Sequence, residues 1–408
     1  MIEELARDAE PGLVASGGPR FFGFVIGGAV PAAIAADWLV SAWDQNGGGY
    51  VASPSLSVAE EVAADWVRDL LGLPEGCGIG FVTGCQMAHF TCLAAARHSV
   101  LAKAGWDVEG HGLQGAPQVH VIAGEEAHVT VSVACRMLGL GSERIRFVAG
   151  DEQGRMVPEA LEGALAKVDG PAIVCAQAGE INTGAFDPIE EIVDLCRARG
   201  AWCHIDGAFG LWAAVSPARR GLLQGFERAD SWATDGHKWL NVPYDCGIAA
   251  VADAGAHRAA MTSTSVYIPA HEEGVPWGFD WTPEFSRRSR GVTVYAALRS
   301  LGRSGLTRLI EGCCDDAARI AGRLSETEGV DVLNDVVLNQ ALVRFGADDA
   351  TTDAVIERVQ ADGTCWLEGS TFKEARVMRV SVVSWQTTAQ DADRSAEAIL
   401  EAYRAVGG

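Results

Sequence analysis

The chain lacks the basic excess that nucleic acids and anionic membranes reward. Against 54 acidic residues it has only 32 basic ones, a formal charge of −22 over 408 residues, which argues against both partners and for an acidic, soluble surface. It has no stretch of the roughly 18–20 uninterrupted apolar residues that a membrane span needs. Its first residues, Met1 to Ala6, are acidic and carry no apolar secretion core. None of its 11 cysteines falls in a C-x-x-C pair, the count is odd, and Cys313 and Cys314 are adjacent, too close for an ordinary disulfide. Reduced thiols packed as small apolar groups in a cytoplasmic protein are therefore expected. Charge runs, low-complexity segments and short-period repeats are absent as well, and so is the G-x-x-x-x-G-K-[ST] pattern of a nucleotide P-loop.

What is present is a large apolar complement, 48% of the residues, in a chain long enough for one large and one smaller domain. Residues 1–18 show no strong period and read as a short arm. Residues 32–43 and 58–73 show helical spacing, the second run closing at Leu73-Pro74. From Gly80 onward, short apolar runs at 118–123, 144–149, 172–176 and 201–205 alternate with helix-like stretches, and 248–252 adds a further strand. That alternation predicts a mostly parallel sheet with helices on both faces. Residues 262–290, with Pro269, Pro276 and Pro283, read as a long irregular loop of the kind that is usually functional. A long helix over 291–324 and a strand–helix–strand–helix unit over 330–406 follow. The division expected is an arm at 1–25, a large domain at 26–295 and a small α+β domain at 296–408.

Lys238 carries the chemical argument. It lies between His237 and Trp239 in an apolar stretch, thirty-two residues after Asp206, which ends the apolar run 201–205. Burial lowers an ammonium pKa, and an unprotonated amine forms a Schiff base with an aldehyde. A lysine for the aldehyde carbon and a carboxylate for the pyridinium nitrogen are the two requirements of pyridoxal 5'-phosphate (PLP). Asp206 also suits a helix N-cap. Gly84, Cys85, Gln86 and Met87 follow the strand-like 79–82 and open a helical run; such a turn offers backbone N–H groups to a phosphate, or simply caps a helix. His237 is a phosphate donor or a core histidine, and Thr234 or Ser231 adds a hydroxyl. His128 follows the run 120–123, at the strand edge where open α/β sheets bind ligands, and suits ring stacking and proton transfer. Tyr267, in the long loop, suits protonation of a carbanion under loop closure. Arg379 pairs with a substrate carboxylate or with an interdomain acid.

Together these residues resemble the group II PLP-dependent amino-acid decarboxylases, a fold-type-I family that includes aromatic-L-amino-acid decarboxylase. The resemblance runs from Pro19 to about Val383. Phe21-Phe22 and the segment from Pro31 to Leu39 match the family's early motif. Its ring-stacking histidine falls on His128, its pyridinium aspartate on Asp206 with Ala208 beneath the ring, its His-Lys pair on His237 and Lys238, and its loop tyrosine on Tyr267. Asp235 and Gly236 stand where the animal enzymes have asparagine and proline, and Thr183 or Asn182 replaces the usual threonine-rich segment. The resemblance implies a homodimer with its active site at the interface, and a PLP-dependent decarboxylase. Tyr267 favours decarboxylation, since members with phenylalanine there tend to form aldehydes. Phe24, Val25 and Ile26 would line an apolar side-chain pocket, closed by Trp277 or Trp281, which suits an aromatic or bulky aliphatic L-amino acid. Arg287, Arg288 or Arg290 would instead receive an acidic one. Oxidative aldehyde synthesis, transamination and retro-aldol cleavage are the rival reactions on this scaffold, and a non-catalytic binding platform is the rival class.

Overall fold

A computed structural model describes residues 1–262, 266 and 277–407. Tyr267 lies outside the described residues. Seven strands form the main sheet: β1 (Gly78–Val82), β2 (His120–Gly124), β3 (Arg146–Val148), β4 (Ala172–Gln177), β5 (Trp202–Asp206), β6 (Ser231–Asp235) and β7 (Gly247–Val251). Their order is β1-β7-β6-β5-β4-β2-β3. Only β7 runs against the others, pairing antiparallel with both β1 and β6. β4 is buried at every position, as a parallel strand covered by helices on both faces must be. The run at 231–235 reads as motif rather than strand in the sequence, yet it is β6, because the polar Ser231, Thr234 and Asp235 are all buried there.

Strand alternation divides the core into two layers. Ile122, Val174, Ala176, Cys203, Ile205 and Trp232 face one side, toward the helix Ile189–Arg199 and the C-terminal unit. Val121, Ala123, Ile173, Cys175, Trp202 and Ala233 face the other, toward the helices Cys85–Lys103 and Val129–Met137. Asp206 shares the face of Trp202, and with it the cover of the Cys85–Lys103 helix.

A second, antiparallel sheet comprises β8 (Val330–Val332), β9 (Gln340–Phe345), β10 (Glu368–Phe372) and β11 (Ala375–Ser381), ordered β10-β11-β9-β8. Helices Asp349–Asp362 and Ala389–Val406 complete this unit. Gly302, at φ 61° and ψ 174°, breaks the long helix Gly291–Ser325. The early residues join the C-terminal unit: Phe22 N donates to Trp366 O at 2.7 Å, and Phe21 stacks on Trp366 at 4.6 Å. Residues 1–18, read as a short arm with no strong period, contain the helix Ile2–Ala9, whose Glu3 and Glu4 suit a helix N-terminus. No residue of that helix is buried.

Candidate active site

The site forms where β1, β5 and β6 end and the helix Cys85–Lys103 begins. Gly84 caps that helix, and Ala88 N makes its first internal bond to Gly84 O at 2.9 Å. Cys85 N donates to Asp235 Oδ1 at 2.6 Å. The amides of Gln86 and Met87 belong to the first turn, which has no intrahelical acceptors. Gly247 lies under the turn: a Cβ there would come within 2.4 Å of the Gly84 carbonyl carbon, so only glycine lets β7 approach so closely.

Lys238 Nζ lies 3.2 Å from Asp235 Oδ2. Burial pulls its pKa down most strongly, but Asp235, Cys85 and Asp206 together outweigh burial, and the ammonium is held above its ordinary value. The expectation that burial leaves Lys238 unprotonated is therefore corrected. The reason is a carboxylate three residues earlier, brought beside the amine by the end of β6. His237 Nδ1 accepts from Cys246 N at 3.1 Å, which leaves Nε2 carrying the proton, 3.4 Å from Asp235 Oδ1. Burial lowers the pKa of His237 against the pull of Asp235, and Tyr244 packs on its ring at 4.4 Å.

Asp206 is buried, and burial alone would raise its pKa; His89, His128 and Lys238 reverse that and hold it well below the carboxylate range. Its Oδ1 accepts from Ala208 N at 3.1 Å, and its Oδ2 lies 3.4 Å from His89 Nε2. Thr234 Oγ1 donates to Ala208 O at 3.4 Å, so its hydroxyl fixes Ala208. His128 caps the helix Val129–Met137, its Nδ1 facing Thr130 Oγ1 at 2.8 Å and Thr130 N at 3.4 Å. Burial keeps His128 below the ordinary histidine value. The Asp206 and Lys238 charges also act on it, in opposite directions. An anionic carboxylate at one end, with an ammonium, an imidazole N–H and helix amides at the other, fits a pyridinium ring and its phosphate.

Other expected residues lie elsewhere or are otherwise engaged. Asn182 and Thr183 build a turn after β4, their amides donating to Glu180 Oε2 at 2.7 Å each. Thr183 Oγ1 donates to Gln153 O, and Asn182 Oδ1 accepts from Ser370 Oγ, so neither presents a free side chain to a phosphate. Ser231 faces His204 and Trp202 instead. Arg379 lies opposite Glu368 in the β10–β11 register and pairs with it, while its Nη1 donates to Ile181 O at 3.0 Å. Its acid is thus within its own sheet, not across domains. Arg287, Arg288 and Arg290 are paired with Glu60, Asp37 and Asp245. Val25 is in the core, Ile26 is partly buried, and Phe24 is 56% exposed with its ring 5.9 Å from Trp366. Trp281 packs on His257 and under Arg258, against β1. Sequence reasoning missed His89. Its spacing of four from Cys85, one helical turn, is the signal that places it on the same face.

The sequence matches the pyridoxal-dependent decarboxylase conserved domain over residues 1–346. It is 27% identical to an aromatic-L-amino-acid decarboxylase of Bacillus atrophaeus, over 91% of this chain and 78% of that protein. It is 29% identical to the acidic amino acid decarboxylase GADL1 of Bos taurus, over 77% of this chain and 61% of that one. The fold matches the crystal structure of an Oryza sativa TDC with PLP and tryptamine at a TM-score of 0.93 and 25% identity, covering 100% of this chain and 88% of that one.

Proposed function

The chain belongs to the pyridoxal-dependent decarboxylases, and from that premise we propose that it converts an aromatic or bulky apolar L-amino acid to its amine and carbon dioxide. The carrying observation is charge pairing. Each of the four arginines weighed as a carboxylate receiver, Arg287, Arg288, Arg290 and Arg379, already holds a carboxylate of this chain. A second acid on the substrate would have to displace one of them. The exposed Phe24 ring beside Trp366 supports an apolar wall; of the relatives above, one is named for aromatic amino acids, one holds tryptamine in its structure, and one is named for acidic amino acids.

PLP supplies an aldehyde for amines and a ring that withdraws the electron pair left as carbon dioxide departs. The chain's own residues do the rest. Lys238 would hold the cofactor through its amine. Asp206, kept anionic by its neighbours, would face the ring nitrogen and keep its proton in place. His128, its pKa lowered by burial, would stack on the ring and serve in proton transfer. His237 and the Gln86 and Met87 amides would hold the phosphate. Tyr267 would supply a proton for the α-carbon.

The active unit is a homodimer with the site at its interface. The fully exposed Ile2–Ala9 helix, with Ile2, Leu5, Leu13 and Val14 uncovered, and the exposed Trp38 and Trp43 are the surfaces in want of a partner. Sedimentation of the loaded protein at micromolar concentration should give a dimer, and Trp38→Asp should weaken it. Eleven buried, unpaired cysteines favour a cytoplasmic setting. Among the described residues no helix is long and apolar enough to cross a membrane.

The test is a panel of L-amino acids on PLP-loaded protein, following carbon dioxide, amine and peroxide together. Carbon dioxide equimolar with amine from an aromatic substrate, lost in Lys238→Ala, is expected. Peroxide with aldehyde, a keto acid, or turnover of acidic substrates alone would overturn the assignment.

A further inference from the structure

Behind Asp206 runs a line of buried polar side chains that the reaction scheme does not use. Strand alternation puts Trp202, His204 and Asp206 on one face of β5, and the register sets Ser231 of β6 opposite His204. Trp202 Nε1 lies 2.9 Å from Ser231 Oγ, Ser231 Oγ 2.9 Å from His204 Nδ1, and His204 Nε2 2.9 Å from His89 Nδ1. His89 Nε2 then lies 3.4 Å from Asp206 Oδ2. His89, His204 and Ser231 are all completely buried.

The two ends dictate the direction. An indole N–H only donates, and an ionised carboxylate only accepts. Trp202 donates to Ser231, the Ser231 hydroxyl donates to His204 Nδ1, His204 Nε2–H donates to His89 Nδ1, and His89 Nε2–H donates to Asp206. Both imidazoles are neutral, and every buried donor has an acceptor. The reverse order would leave the Ser231 hydroxyl proton only the Cys92 thiol, a weak acceptor, and would turn an imidazole lone pair toward the Asp206 anion with only the weakly donating Cys85 thiol beside it. A buried donor without a good acceptor costs up to about 1–3 kcal/mol, so the forward order wins. Burial holds His204 down to about 3, in agreement with a neutral ring. The other titratable groups near Asp206 are Cys85 on the same helix as His89, His128 at its own helix cap, Lys238 after β6 and Cys175 on β4.

We propose that Trp202, Ser231, His204 and His89 form a one-way hydrogen-bond chain that holds Asp206 as an unprotonated, oriented acceptor for the cofactor's ring nitrogen. His89 and His204 are then positioning residues that act through Asp206. The inference rests on PLP as the cofactor, but not on which amino acid is decarboxylated.

The direct test is nuclear magnetic resonance of protein labelled with 15N-histidine, cofactor-free and PLP-loaded. The two signals are assigned by their loss in His89→Asn and His204→Asn. Both rings should be in the Nε2–H tautomer, with His204 neutral from pH 5 to 8. An Nδ1–H tautomer or an imidazolium at either position at pH 7 would overturn the chain. The second test is Ser231→Ala, which touches only the far end. It should weaken PLP binding about five- to tenfold, the loss of roughly one hydrogen bond's net contribution, and move the pH titration of the bound cofactor's absorption band. His89→Asn, which keeps a donor, should retain more affinity than His89→Leu. Folded Ser231→Ala and His89→Leu proteins with wild-type affinity and titration would refute the proposal, whatever the substrate panel gives.

Discussion

The buried pair between Glu60 and Arg287 offers the sharpest test of how the start of the Gly291–Ser325 helix is held. Arg287 lies near the C-terminal root of the segment that carries Tyr267, and Glu60 lies on the helix Pro54–Leu71. The contact is two-pronged: Arg287 Nη1 to Glu60 Oε1 at 2.9 Å and Nη2 to Oε2 at 2.8 Å. Their side chains are only 3% and 9% exposed. Glu60 Oε1 also accepts from Gly291 N at 3.0 Å, tying the start of the Gly291–Ser325 helix to the same carboxylate. Glu60→Gln keeps the shape and an acceptor for Gly291 but leaves the buried guanidinium charge without its paired carboxylate, only the weaker influence of Glu284 remaining. Breaking one side of such a pair costs about 3–5 kcal/mol. Arg287→Met should cost a similar amount by stranding Glu60. The double substitution should cost far less than the sum, because removing both charges also removes the desolvation penalty. Urea denaturation of the four proteins closes the cycle. A cost under about 1 kcal/mol for Glu60→Gln, or additive costs, would refute the account.

Three further perturbations have defined outcomes. Asp187 accepts amides from Met156 and Gln177 at 2.7 Å each, yet burial raises its carboxyl from 3.8 to about 6. A raised carboxyl stabilises fully below pH 4 and loses that contribution as pH rises through 6. The difference is worth about 3 kcal/mol, so wild type should lose stability relative to Asp187→Asn between those pH values; parallel denaturation profiles would contradict this. Gly247→Ala places a methyl 2.4 Å from the Gly84 carbonyl carbon and should displace the phosphate turn, weakening PLP binding at least about tenfold by overpacking; unchanged affinity in a fluorescence titration would count against the turn's role. Asp235→Asn removes the charge that raises the pKa of Lys238. The pH profile of PLP uptake should therefore move to lower pH, and an unmoved profile would show that Asp235 does not govern the amine.

Much of the site was legible because its parts are local. The Lys238 context, the apolar strand ending at Asp206 and the turn at Gly84 each lie in a few consecutive residues, and each has a chemical reason to be there. The alternation of apolar runs with helical stretches likewise sufficed for a mostly parallel sheet, since strand and helix periods differ within one window. β6 and β10 escaped notice because their positions are polar, Ser231, Thr234 and Asp235 in one and Ser370 and Thr371 in the other. Burial makes β6 a strand, whereas β10, mostly half-buried or exposed, is one through its antiparallel pairing with β11.

The sequence by itself determined the chemistry: an amine, a carboxylate and an imidazole of the right types, on elements of the right kind. The tertiary structure decided which charges meet. Nothing in the order of residues shows that Asp235 holds Lys238 protonated, that Glu368 occupies Arg379, or that His89 stands behind Asp206. Those pairings join positions 3, 11 and 117 residues apart, and they depend on strand register and helix placement that no short window contains. Electrostatic energies vary with separation and burial, quantities that exist only once the chain has folded. The types of the groups are therefore written along the chain, while their protonation states are set by the space between them.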